Sequence, residues 1–228
     1  MQDGPTTLSG AAYARLRRDI LEGALQPGHK LRIEEACART GATSTPVREA
    51  LNQLAMEGFV ERREQRGFVV AEVSAGELQE LTDTRCWVET IALRQAIAHR
   101  TQAWEDQVVL TFHRLARTPR SISPDSFDEN PGWEAAHVAF HAALIATCPS
   151  RFMIEFCRRL SDHAVRYRRL AMSQAYPRRD ITAEHRALME AAIDGRDDDA
   201  AAALVHHYRL TARFVRGQDG FFPGETPT

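Results

Sequence analysis

The sequence predicts a mostly α-helical chain of two domains, on three observations. Between residues 9 and 73, short helical periods give way to two alternating strands. From 75 to 216 helical periods recur with no strand alternation. Between the two regions, Ser74-Ala75-Gly76-Glu77 has the spacing of a capping box, with the serine at the N-cap and the glutamate three residues on. The 228 residues, 43% hydrophobic, suit a small domain of about 65 residues and a larger one of about 145.

In chain order, Tyr13, Leu16, Ile20 and Leu21 mark a first amphipathic helix that stops at Gly23, and Pro27-Gly28 turns the chain into the short segment Lys30-Leu31. A second short helix, Ile33 to Thr40, ends at Gly41. A third begins at Thr43-Ser44-Thr45-Pro46, where Thr43 is placed to cap it and Pro46 falls in the first turn, whose N–H groups need no helical partner. Glu49 is expected to add negative charge near that positive end. Val47, Leu51 and Leu54 share one face, leaving Thr45, Arg48 and Asn52 to point elsewhere. Helix, glycine-containing turn and capped helix is the helix-turn-helix order. Phe59 to Arg63 and Gly67 to Ala71 then form a small β-hairpin wing whose basic side chains, Arg62, Arg63 and Arg66, suit a phosphate backbone or minor groove. The predicted architecture is thus an N-terminal winged helix-turn-helix, residues 9–73. Its DNA-binding residues are expected at the helix start and wing tip: Thr43, Ser44, Thr45, Arg48 and Arg66.

The spaced motifs carrying this reading resemble the winged helix-turn-helix of the GntR family of bacterial transcription regulators. They are Arg17 to Gly23 with Leu25 and Pro27-Gly28, Pro46 to Leu51 with Leu54 and Glu57-Gly58, and Arg66 to Val70. The resemblance assigns DNA contacts to Thr43, Thr45, Arg48 and Gly67. Ser44 stands where relatives usually carry a base-reading arginine, which thins base readout or displaces it to Arg48. Ala36 and Thr40 replace larger apolar residues, implying looser packing under the second helix.

Charge and composition narrow the function. Net charge is −2, and residues 1–73 carry 10 Lys+Arg against 10 Asp+Glu, so DNA binding through a bulk basic field is excluded while a dimer placing a few arginines at two half-sites is not. Lys30 is the only lysine. Cys37, Cys86, Cys148 and Cys157 form no C-x-x-C pair and read as reduced core residues. No signal peptide or long apolar run precedes or interrupts the fold, so no membrane association and a cytoplasmic location are expected.

Residues 75–216 read as an all-α helical bundle, with periods over 75–100, 102–117, 133–147, 151–173, 182–194 and 197–216, and a Pro/Ser/Asp-rich loop at 118–131. Residues 1–8 and 217–228 read as flexible tails. His137 and His141, four apart, share an inward face. His185 falls with Ile181, Leu188, Met189 and Ala192, and His207 with Ala200, Ala203, Leu204, Leu210 and Phe214. The turn centres near Arg196, midway between His185 and His207, so folding back there brings both to one height, roughly 16 Å from the turn. A single inward histidine is usually a satisfied core residue. Four at consistent positions each need a partner for polar nitrogens, and one divalent metal supplies it. Zinc is the first expectation, with nickel, copper or iron also suited to imidazole. His206 reads as surface. Arg85 sits on the inward stripe of Leu78, Leu81, Val88 and Ala92, so it must meet an anion: either Glu89 at i+4 or a ligand carboxylate gripped beside the metal. Arg166 and Arg168 are candidates to line the pocket, with a solvated arginine-rich face as the favoured reading.

This half resembles the helical FCD ligand-binding domain of the FadR branch of GntR regulators, through Glu80-Leu81 with Arg85 and Glu89, Phe140-His141 with Leu144, Glu184 to Leu188 with Glu190-Ala191, and Asp197 leading to His207. The resemblance implies a divalent ion held by an Asp and three histidines with small carboxylates bound beside it. His141, His185 and His207 match the histidines; His137 stands in the place of the Asp. Four neutral imidazoles leave the ion its full charge, which favours an anionic effector and softer metals.

The expected function is a homodimeric regulator, in its first form a repressor, that binds double-stranded DNA at an inverted-repeat operator. Its operator affinity is set by a small organic acid held by the metal and Arg85. The alternatives are a regulator for which the ion itself is the signal, and a metal-dependent hydrolase with an appended winged-helix domain. Four histidines crowd the open position a catalytic zinc needs, and the only inward carboxylate is Glu89, so the chain is read as not an enzyme.

Overall fold

The structure is a computed structural model that describes residues 7–63, 67–123, 130–172, 180–217 and 222. The chain divides into two compact units, Met1–Val73 and Ser74–Thr228.

The first unit runs α1 (Leu8–Leu21), β1 (Lys30–Leu31), α2 (Ile33–Thr40), α3 (Ser44–Met56), β2 (Val60–Arg63) and β3 (Gly67–Val70). Thr7 caps α1 by accepting from the Gly10 N–H, so Thr7 and Leu8 belong to the fold and not to the tail assigned from composition. Gly41 ends α2 in the left-handed conformation, φ 69°, which turns the chain into α3 without a Cβ clash. The sheet has three strands, ordered β1-β3-β2 and antiparallel throughout, with Lys30 opposite Val69 and Arg62 opposite Phe68. A two-residue strand is too short to announce itself by alternation, and it makes the wing a sheet edge closed onto the domain. The apolar stripes of α1 and α3 meet over it: Leu16, Ile20, Val47, Leu51, Leu54 and Val70 are buried. Ala36 is completely buried, and Thr40 donates its hydroxyl to the Ala36 carbonyl, so the small residue seats α2 closely.

The second unit is all helical among its described residues: α4 (Ala75–Ala98), α5 (Gln102–Arg117), α6 (Pro131–Leu144), α7 (Arg151–Met172), α8 (Ile181–Ile193) and α9 (Asp197–Arg216). Ser74 caps α4 through the Glu77 N–H. The reciprocal half of the capping box is relayed: Tyr167 donates to the Glu77 carboxylate at 2.6 Å, while the Ser74 N–H reaches the Tyr167 oxygen at 3.4 Å. Asn130 caps α6 with Pro131 at its first position, starting it two residues before the periodic pattern does. Ser150 caps α7 by accepting from the Met153 N–H. Helix α4 packs on α7 and α9, α9 on α8, and α5 on α6 and α8.

Three sequence expectations are corrected here. Helix α9 buries Tyr208, Ala212 and Val215, with Leu210 and Phe214 only half-buried, because its contact with α4 rotates the inward face by one residue from His207 onward. Arg166 and Arg168 are 2% and 8% exposed and form no solvated face. Phe222 is buried with its ring 6.5 Å from that of Tyr167, so the segment after α9 is not wholly a free tail. All four cysteines are free, three of them buried; burial lifts the Cys157 thiol to about 12.

The α8–α9 turn rests on Gly195, φ 76°, where a Cβ would lie 3.1 Å from the Arg100 guanidinium. Gly195→Ala is expected to destabilise the helical unit by about 1–2 kcal/mol, read as a fall in Tm of a few degrees by calorimetry.

Candidate DNA-reading surface and metal centre

In the first unit the start of α3 is the surface that can read DNA. Thr43, Ser44, Thr45 and Arg48 are all exposed, while Val47, Ala50, Leu51 and Leu54 anchor the opposite face. Thr43 occupies the N-cap but its side chain makes no capping bond; its backbone carbonyl accepts from the Val47 N–H at 3.3 Å. Glu49 falls in the second turn, and no acidic residue stands in the first. The helix end therefore presents hydroxyls, free N–H groups and uncancelled positive dipole, the combination that receives phosphate. At the wing, Gly67 is exposed with φ 75°; Arg62 is exposed and Arg63 pairs with Glu61 at 2.9 Å. Arg66 lies outside the described residues.

In the second unit the four histidines come together. His137 and His141 from α6, His185 from α8 and His207 from α9 are all buried, and one ring nitrogen from each lies within 4.8 Å of the others. The Nε2 atoms of His137 and His141 are 3.1 Å apart. Two ligand nitrogens at about 2.0–2.1 Å from a common ion stand roughly 2.9–3.4 Å apart, so this pair has the spacing of adjacent ligands. The α8–α9 hairpin does what residue counting requires of it: the His185 and His207 ring centroids are 4.5 Å apart.

Carboxylates and aromatic rings orient the imidazoles from behind. Glu184 meets His207 Nδ1 at 2.8 Å, turning that ring's Nε2 inward. Tyr208 lies 3.4 Å from His141 Nδ1 and donates to Glu89. Glu134 is 3.6 Å from His137 Nδ1, too far for a hydrogen bond, and that nitrogen has no hydrogen-bond partner among the described residues. Trp133 stacks on His137, centroids 4.8 Å apart and planes within 11°. Burial, then the nearby charge of Arg168 and the other imidazoles, holds His137 well below the usual histidine range. Burial and the neighbouring imidazoles do the same to His141. Both rings are thus neutral with lone pairs available, as metal binding requires.

Arg85 forms the internal pair. Its Nε donates to Glu89 at 2.7 Å, and its guanidinium lies 3.8 Å over the Tyr208 ring. Burial opposes this charge, but Glu89 and Tyr208 keep it protonated. Arg168 donates to Glu134 at 2.6 Å. Glu134, Glu184 and Tyr208 are not marked as site residues by the sequence, and Arg168, a candidate pocket residue there, is the one the solvated-face reading sets aside. Glu134 at i−3 from His137 was the available signal; Arg168 was hidden in an arginine-rich helix.

These are the parts of a DNA-binding transcription regulator: a winged helix with a reading end, joined in one chain to a helical domain with a polar core. Residues 8–70 match the bacterial regulatory protein model of the gntR family, and residues 80–210 match the FCD domain. The chain belongs to the GntR family, whose members regulate transcription by binding DNA and are not enzymes. It is 36% identical over 211 residues to the HTH-type transcriptional regulator BphR of Paraburkholderia xenovorans, itself uncharacterised, spanning 92% of this chain and 86% of that protein. It is 34% identical to the HTH-type transcriptional repressor GlaR of Escherichia coli, spanning 90% and 93%. The structure of E. coli McbR/YncC shares the fold with a TM-score of 0.77 at 19% identity, covering 93% of this chain and 98% of that one. No described helix is long and apolar enough to cross a membrane.

The neutral histidines set a pH dependence. The unfolded chain binds protons at about 6.5 where folded His137 and His141 do not, so in chelator-treated protein stability should fall as pH drops below that value. The slope approaches about 1.4 kcal/mol per pH unit for each histidine. Urea titrations between neutral and mildly acidic pH would give a flat profile if these rings were not buried and neutral.

Proposed function

We propose that the chain is a metal-loaded repressor that leaves its operator when a small organic acid binds. The observation that carries this reading is the convergence of four buried imidazoles beside Arg85. His137, His141, His185 and His207 would hold one divalent ion, zinc first and nickel as the alternative. Their donor chemistry fits it: nitrogen-only and spaced for one centre. The ion would supply a positive charge that an acid's oxygen can meet, and Arg85 would grip the same acid with its planar fork. Two relatives named as repressors, GlaR and the E. coli RspR at 26% identity, support repression as the sign of control.

A homodimer follows from operator symmetry, two α3 helices reading half-sites about one helical turn apart. Exposed apolar pairs support it. Trp87 and Ile91 stand one turn apart on α4 at 67% and 51% exposure, and Phe152 and Phe156 on α7 at 74% and 46%; such side chains are rarely left to water without a partner. At the DNA, Thr43, Ser44, Thr45 and Gly67 would take phosphates and Arg48 a guanine edge; Arg66, at the wing tip, is assigned to the backbone on sequence alone.

Purified protein is expected to carry about one divalent ion per chain by elemental analysis, and His185→Ala to lose it with the helical unit still folded by circular dichroism. Fragments of sheared genomic DNA selected at roughly 150 mM salt should share a short inverted repeat. Arg48→Ala should weaken that binding by about 1–3 kcal/mol per half-site. Arg85→Gln, which keeps a donor for Glu89, should abolish release by acid while sparing DNA binding; an undiminished response would remove Arg85 from the effector site. Operator affinity that changes with metal alone, no acid present, would make the ion the signal.

A further inference from the structure

We infer that the effector is a dicarboxylic acid, with Arg168 as the anchor for its second carboxylate. This rests on the organic-acid reading above and adds the ligand's chemical class. Arg85 from α4 and Arg168 from α7 line one cavity together with Thr82, His207, Tyr208 and Thr211. No carboxylate lines that cavity among the described residues. Two guanidinium groups at one cavity without an acid on its wall make a site for an anion with two acidic ends.

Arg168 has donors to spare. It is 8% exposed, and one of its terminal nitrogens donates to Glu134 at 2.6 Å. Its Nε is buried with no hydrogen-bond partner. A buried charged donor left unmade is costly, and a planar carboxylate across Nε and the neighbouring nitrogen would satisfy it. Arg85 is likewise held by one internal acid: Glu89 takes its Nε at 2.7 Å and its Nη2 more loosely at 3.5 Å. The threonine hydroxyls donate back to their own helices, Thr82 to the Leu78 carbonyl and Thr211 to the His207 carbonyl, so the arginines supply the free donors.

The cavity itself is small, about 20 Å³, room for little more than one water. An acid therefore enters as the two arginine side chains shift within their ion pairs and turn their remaining donors to the ligand. A monocarboxylate meets the remaining donors of one guanidinium. A dicarboxylate meets those of both, while Glu89 and Glu134 keep their partners throughout.

The test is calorimetric titration of the metal-loaded full-length chain with succinate, glutarate and adipate, each against the monocarboxylate of equal carbon count: butyrate, valerate and hexanoate. At least one diacid is expected to bind about ten- to a hundredfold tighter than its matched monoacid. Arg168→Gln should bring that ratio toward one, and Arg168→Lys should restore part of it. Equal binding of the two series to the unaltered protein overturns the inference, with no variant needed. So does an Arg168→Gln chain that weakens both series in the same proportion, since that is the behaviour of a structural residue. Binding of neither series sinks the organic-acid reading itself, an outcome separate from equal binding of both.

Discussion

The helical unit depends on one constraint: polar groups removed from water must meet one another. Four imidazoles, the carboxylates of Glu89 and Glu134, the guanidinium groups of Arg85, Arg166 and Arg168 and the phenols of Tyr167 and Tyr208 are buried in it, where an unpaired charge costs several kcal/mol. The internal pairs answer this in three places. Glu89 holds Arg85 and Tyr208, Glu134 holds Arg168, and Glu184 holds His207. What they leave over includes the Nε of Arg168 and the inward nitrogens of the histidines, two of them 3.1 Å apart in neighbouring rings. Burial holds His137 and His141 well below the usual histidine range, which leaves lone pairs on their rings free of protons. The chain thus bears the desolvation of this cluster on three helices at once, and the tightness of the α8–α9 turn at Gly195 keeps two of the four in register.

The winged helix applies the opposite rule. There the polar groups of α3 are left exposed, and the apolar ones do the fixing. Val47, Leu51 and Leu54 hold the helix against α1, and the third strand ties the wing to the same small core. The first turn of α3 lacks both an acidic residue and a side-chain cap. A solitary domain would gain stability from either one. Their absence leaves the N–H groups and the dipole unspent, which is how a helix end stays receptive to phosphate. Ser44 fits the same economy: a small hydroxyl beside Arg48 can meet the backbone but carries little base information.

Much of this was legible from spacing. Helices set their own period, so the four-residue step from His137 to His141 and the equal distances from Arg196 to His185 and His207 fixed which rings could meet. Capping residues were legible where they obey local rules, as at Ser74, and were missed where the cap lies before the periodic pattern, as at Asn130. The tertiary partners were not legible, for a physical reason. Whether Arg168 faces water or Glu134 depends on the packing of α7 against its neighbours, and residues 164–168 are all buried, so the periodicity of one helix marks no single inward face there. Tyr208 was overlooked because the inward face of α9 turns by one residue where α4 crosses it, and single-helix periodicity cannot see a neighbour. The two-residue strand β1 exists only through its pairing with β3.

The paired interior also bears on how a ligand could act at a distance. A ligand shifts a conformational equilibrium only by its difference in affinity for the two states, and moving a population from one extreme to the other takes about 5.5 kcal/mol. A preformed, open pocket would supply little of that, since it binds the ligand alike in both. Here the cavity between Arg85 and Arg168 is nearly full, and both arginines are held by acids of the same protein. Any anion entering it must move those side chains, and with Arg85 the Glu89 carboxylate to which Tyr208 donates beside His141. Binding and rearrangement then become one event, and the difference in affinity is built into the movement of buried ion pairs.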